Sequence, residues 1–166
     1  NRLNNAAVEL SAFLPDEAST LDFGEKLSKL LQPGLFVGLS GELGSGKTTL
    51  ARGILRGLGY EGKVKSPTYT LVEHYKLFRL DLYHFDFYRF ANAEEWSDAG
   101  FRDYFDGHNI CVVEWPERVA GQLPPADLEI MLSVEGEGRQ ARVWASTARG
   151  ISCVQSLRHT CRDPLR

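Results

Sequence analysis

The chain has 166 residues, of which 43% are hydrophobic, and a formal net charge of -3. That length supports one domain around a single sizeable core and leaves little chain for a second, substrate-binding domain. The charge excludes a general electrostatic attraction to nucleic acid, so a tRNA, DNA or membrane partner would need a local basic patch or a mediating protein.

In chain order, PDEASTLDFGEKLSKLL (residues 15–31) sets Ala18, Leu21, Leu27, Leu30 and Leu31 at near-helical spacing behind an acidic first turn. This predicts an amphipathic helix ending near Pro33 and Gly34. LFVGLS reads as a buried strand. From Lys47 onward Leu50, Ile54 and Leu58 recur every four residues, and Gly59 offers a left-handed stop. YTLVEHYKLF and LDLYHFDFY, rich in β-branched and aromatic residues and close together, predict two neighbouring strands. Asn92 and Glu95 make a capping box for a helix through AEEWSDAGFRDYF. NICVVEW is a further short buried strand before the proline-containing loop PERVAGQLPP. DLEIMLSVEGEGRQARVWAS alternates on both sides of EGEG, the mark of a hairpin. The remainder, TARGISCVQSLRHTCRDPLR, turns basic and loses periodicity. The expected organisation is a single domain over residues 1–148 and a basic tail over 149–166.

The cysteines, Cys111, Cys153 and Cys161, are odd in number and have no metal-ligand spacing. Cys111 lies in an apolar run, where a small buried thiol is the ordinary reading, and the set suits a reducing cytosol. No run approaches the ~20 apolar residues of a membrane span. The first residues lack the basic-then-apolar layout of a signal peptide. A cytoplasmic protein without membrane contact is expected.

GELGSGKTTL (residues 41–50) stands between a buried strand and an amphipathic helix and matches a phosphate-binding loop. The candidate cradle comprises Gly41, Glu42, Leu43, Gly44, Ser45, Gly46, Lys47, Thr48 and Thr49. Its glycines let the backbone curl so that successive N–H groups point at a phosphate, helped by the positive end of the following helix. Lys47 reaches the β- and γ-phosphates, and the Thr48 hydroxyl can ligate Mg²⁺. The plain alternative is a glycine turn with a solvated lysine.

Two acids fall where such a site needs them. Asp86 ends a run of alternating strand residues within YHFDFYR and Glu114 closes the apolar run of ICVVEW, and acids at the ends of buried parallel strands face the ligand crevice. One can hold Mg²⁺ and the other orient an attacking water; an acid that merely closes a strand at the surface is the alternative for each. SPTYT (residues 66–70) suits a switch-like loop or an everyday turn. His84 is most simply a satisfied strand residue, with a functional role as the alternative.

Together GELGSGKTTL, VKSPTYTLVEHY, YHFDFYR and VEWPER, in this order and spacing, resemble the TsaE (YjeE) family over roughly residues 9–148. The resemblance implies an α/β fold: a sheet like that of P-loop NTPases, with mixed parallel and antiparallel strands flanked by helices. It implies a weak, partner-stimulated ATPase that binds ATP or ADP with Mg²⁺. The partners implied are TsaB and TsaD, in the threonylcarbamoyl modification of adenosine 37 of tRNA, with tRNA engaged only indirectly. Carried over by motif, Lys47 and the loop hold phosphates, Thr48 and Glu114 ligate the metal, and Asp86 supports the metal or the attacking water. Thr68 matches the switch-like segment, Trp115 packs beside the site, and Thr20 and Arg139 lie towards the base. For Arg139 an exposed hairpin arginine is the alternative. The basic tail departs from the family, whose members usually end soon after the last strand.

Other nucleotide-linked functions fit less well. A guanine-nucleotide switch needs an N-K-x-D motif, and none occurs. A small-molecule kinase needs an acceptor site and an arginine-rich lid, for which only the tail has arginines. A nucleotide-gated scaffold would bind ATP without turnover.

Overall fold

The computed structural model describes residues 8–92 and 100–161. Among them seven strands form one sheet: β1 (Val8–Leu14), β2 (Phe36–Ser40), β3 (Val72–Leu77), β4 (Leu80–Asp86), β5 (Ile110–Glu114), β6 (Leu128–Glu135) and β7 (Gly138–Ala145). Their order is β1-β7-β6-β2-β5-β4-β3. The middle of the sheet is parallel, β6 with β2, β2 with β5, and β5 with β4. Both margins are antiparallel, β3 on β4 at one side and the β6–β7 hairpin followed by β1 at the other. This is the expected mixed α/β sheet. FVGLS and ICVVE are almost wholly buried because both faces of a central parallel strand are covered.

Among the described residues three helices pack on one face: α1 (Glu17–Ser28), α2 (Lys47–Gly57) and α3 (Ala148–Cys161). Phe23 and Leu27 from α1, Leu50, Ile54 and Leu55 from α2, and Val154 and Leu157 from α3 share a core with Val37, Leu39, Val112 and Ile130 of the sheet. The opposite face holds an aromatic core of Phe36, Phe85, Phe87, Phe90 and Phe101. Among the described residues it is covered by loops and by the 3₁₀ turns Phe101–Tyr104 and Pro116–Val119. Strand alternation therefore sends Leu82, His84 and Asp86 of β4, and Val112 and Glu114 of β5, to the helix side.

The element boundaries differ from expectation in four places. Asp16 caps α1 by accepting a hydrogen bond from the Ser19 N–H, and the helix stops at Ser28, short of Pro33. β1 was not among the expected strands. The expected helix over AEEWSDAGFRDYF falls partly on residues 93–99, outside the described residues, and its described end is a 3₁₀ turn that sets Phe101 and Tyr104 on one side. Most important, the expected tail is corrected: residues 148–161 form α3, which buries Cys153, Val154 and Leu157 and is fixed at its start by Asp127. That buried carboxylate accepts from Phe36 N–H at 2.9 Å, from the Thr147 hydroxyl at 2.7 Å and from Arg149 at 3.4 Å. Arg149 also donates to the Gly34 carbonyl. As expected, α2 ends before Gly59, which takes a φ of +96°. No helix of the described residues is long and apolar enough to cross a membrane.

Candidate functional site

The glycine loop runs from the end of β2 into α2, with Gly46 as the helix N-cap in a left-handed conformation. Gly41 could not be another residue. Its φ is +139°, and a Cβ there would lie 2.4 Å from the Leu132 carbonyl oxygen and 2.6 Å from Ser45 Oγ. The loop is therefore seated directly on β6.

Two cations hold the outside of the loop. Lys47 Nζ donates to the carbonyl oxygens of Gly41 and Glu42 and stands 4.5 Å from the centroid of the Trp115 ring. Arg139, at the start of β7, donates from Nε to the Ser45 carbonyl and from Nη2 to the Gly44 carbonyl, each at 3.0 Å. With four loop carbonyls engaged in this way, the geometry favours anion binding by the loop N–H groups at the head of α2. Burial lowers the Lys47 ammonium's pKa, while Glu114, Asp86 and Glu117 pull it back up.

Glu114 and Asp86 end adjacent parallel strands as register partners, and both are buried. The Thr48 hydroxyl donates to Glu114 Oε2 at 3.0 Å, with Oε1 at 3.3 Å. Asp86 accepts from the Tyr88 N–H at 2.9 Å and from the Thr68 hydroxyl at 3.2 Å. Thr68 in turn shares a 2.8 Å hydrogen bond with Ser66, so the SPTYT loop is tied to this acid. Burial pushes the Asp86 carboxyl above its usual range, and the Glu114 charge adds to the rise; hydrogen bonds from Tyr88 and Thr68 oppose it.

After Glu114 the chain turns sharply. Trp115 has a left-handed φ of +59°, a conformation that costs a non-glycine residue roughly 1–3 kcal/mol and concentrates at functional sites. The turn brings its ring onto Lys47.

These residues line one cleft of about 380 Å³, which takes in Leu43, Gly44, Gly46, Lys47, Thr48, Thr49, Thr68, Asp86, Glu114, Trp115 and Arg139. A second cleft, of about 210 Å³, adjoins it and shares Gly46, Thr49 and Arg139, adding Thr20, Asp16 and Glu137. The structure thus brings Thr20 and Arg139 together beside the loop, because β1 pairs Leu14 with Arg139 and delivers the start of α1 there. Arg139 is half-buried on the loop backbone rather than a free hairpin arginine.

Among the described residues, no three or more His, Cys, Asp or Glu side chains form a metal cluster. Mg²⁺ does not need one, because it takes one or two carboxylates with phosphate oxygens and water. The hard oxygen donors of Thr48, Glu114 and Asp86 fit such an ion.

Sequence reasoning missed two features of the site. One is the hold of Arg139 on the loop carbonyls. The other is His84, fully buried with Nε2 2.6 Å from Glu114 Oε2. The buried thiol of Cys111 lies outside the site; burial pushes it up to about 12.

A family model described as "Threonylcarbamoyl adenosine biosynthesis protein TsaE" matches residues 14–142. The chain belongs to the TsaE family. It is 43% identical over 153 residues to the tRNA threonylcarbamoyladenosine biosynthesis protein TsaE of Haemophilus influenzae, covering 89% of this chain and 97% of that protein. The Bacillus subtilis protein of the same description is 41% identical over 130 residues, 77% of this chain and 81% of the relative. The crystal structure of Bacillus subtilis YdiB is similar throughout, with a TM-score of 0.81 at 27% identity over 94% of this chain and 98% of that one. The TsaE family match takes in β2 to β6 and β7 as far as Arg142, but only the last residue of β1, and stops short of α3.

Proposed function

We propose that this chain is a cytoplasmic, Mg²⁺-dependent ATPase that assists threonylcarbamoyl modification of adenosine 37 in tRNA by acting on a TsaB–TsaD complex. The observation that carries the reading is the meeting of Thr48, at the head of α2, with Glu114, at the end of β5, beside Asp86 and below the glycine loop. Membership of the TsaE family supplies the biological setting.

In this reading the loop N–H groups and Lys47 bind the phosphates of ATP, Lys47 exchanging its carbonyl partners for phosphate oxygens. Thr48 and Glu114 would hold Mg²⁺, which would supply positive charge to offset that of the phosphates. Asp86 either supports the metal or orients the attacking water. Its link to Thr68 makes the SPTYT loop the segment that responds to the state of the γ-phosphate. Thr20 and Arg139 border the cleft that takes the nucleoside end. In the same reading turnover serves to change the conformation of a partner, and with a charge of -3 the chain meets tRNA through that partner.

The deciding experiment measures phosphate release from ATP by the isolated protein and after addition of TsaB and TsaD. Slow release that the partners accelerate is expected. Tight ATP binding with no turnover under either condition would make the chain a nucleotide-gated scaffold instead.

A further inference from the structure

His84 has no part in the reaction outlined above, yet it is the most deeply buried ionisable side chain beside the site, with no exposure at all. Nε2 lies 2.6 Å from Glu114 Oε2, and Nδ1 has no hydrogen-bond partner among the described residues. An imidazole desolvated for a single hydrogen bond is an inefficient way to fill a core, which an apolar side chain would fill without loss of hydration. The value of the residue therefore lies in that one contact.

The strand register explains how the contact is made. His84 pairs with Val112 while Asp86 pairs with Glu114, so His84 reaches diagonally across β4 and β5, on the helix side of the sheet, to the next acid along. Glu114 Oε2 then accepts from both His84 and Thr48, whereas among the described residues Oε1 has only the longer 3.3 Å contact with Thr48.

We propose that His84 is a positioning residue: by donating its Nε2–H to Oε2 it fixes the Glu114 carboxylate so that Oε1 is presented to the cation beside Thr48. The inference rests on the reading of Glu114 as a Mg²⁺ ligand. Groups that orient a metal ligand typically govern metal affinity about 10–100-fold.

The test is binding of a fluorescent ATP analogue in EDTA and across a Mg²⁺ titration, with thermal melting as a control. For His84→Phe we expect the Mg²⁺ concentration at half-saturation to rise about tenfold or more, while affinity in EDTA is kept. His84→Gln retains an N–H donor and should recover most of the loss. A His84→Phe protein with the wild-type Mg²⁺ requirement overturns the inference. So does an equal loss of affinity in EDTA, which marks a packing role, or a Gln variant as impaired as the Phe variant.

If the wild type binds the analogue equally with and without Mg²⁺, the proposed metal site fails and the inference falls with it. A Mg²⁺-dependent wild type with an indifferent variant sinks the inference alone. Histidine-labelled ¹⁵N spectra of the wild type decide the matter even if the variants do not fold. The proton should reside on Nε2, and that resonance should move when Mg²⁺ joins bound ADP. An unprotonated or unmoved Nε2 overturns the proposal.

Discussion

Asp86 and Glu114 are register partners on adjacent parallel strands, yet they are held by different neighbours: Asp86 by Thr68 and the Tyr88 N–H, Glu114 by Thr48 and His84. One acid is tied to the switch-like loop and the other to the head of α2. Replacing each should therefore give a different phenotype.

For Glu114→Gln the hydrogen-bond acceptor survives but the charge does not. The Mg²⁺ requirement for hydrolysis should rise about tenfold or more, and high Mg²⁺ should restore part of the activity, because the lost group acts through metal affinity. A titration of phosphate release against Mg²⁺ checks this. Rescue of the Asp86 variant in place of this one would reverse the two roles.

Asp86→Asn should leave nucleotide affinity near wild type while turnover falls about a hundredfold or more. It should also stabilise the protein at pH 7. Burial raises the folded pKa of Asp86, so its contribution to stability is full below the unfolded pKa and is lost as pH rises through the folded one. Asparagine escapes that loss. Melting curves should show the variant more stable at neutral pH, with the difference shrinking below the ordinary aspartate pKa of about 3.9.

Lys47→Ala removes the ammonium that can exchange the Gly41 and Glu42 carbonyls for phosphate oxygens. Hydrolysis should collapse by several orders of magnitude with the circular dichroism spectrum unchanged. Near-wild-type phosphate release from the folded variant would refute the phosphate-loop assignment.

Leu157 on α3 is fully buried in the main core. Leu157→Ala should cost about 2–5 kcal/mol in urea unfolding, as for other large core truncations. A cost near zero would show that α3 adds nothing to the stability of the sheet.

What could be read in advance was local. The glycine loop, the acids within YHFDFYR and ICVVEW, and the EGEG hairpin each rest on spacing within a few residues. Two missed elements carried a signal of the same kind: VELSAFL sets Leu10, Ala12 and Leu14 in strand alternation, and Val154 with Leu157 repeats at helical spacing beneath a basic composition. The remainder depends on register. That His84 meets Glu114, and that Arg139 meets Ser45, follows only once strands distant in sequence lie side by side.

The seating of the glycine loop also bears on the order in which the molecule is made. β2 has β5 on one side and β6 on the other, both later in the chain, and the guanidinium bound to the Ser45 carbonyl comes 94 residues after it. A nascent chain that has emerged only through α2 holds every glycine of the motif but has no neighbour for either edge of β2. Loops closed over such distances form slowly, and until then the apolar FVGLS strand is open to mispairing. The pocket is thus a late product of synthesis, and a chain interrupted before residue 139 would carry the motif without the cradle.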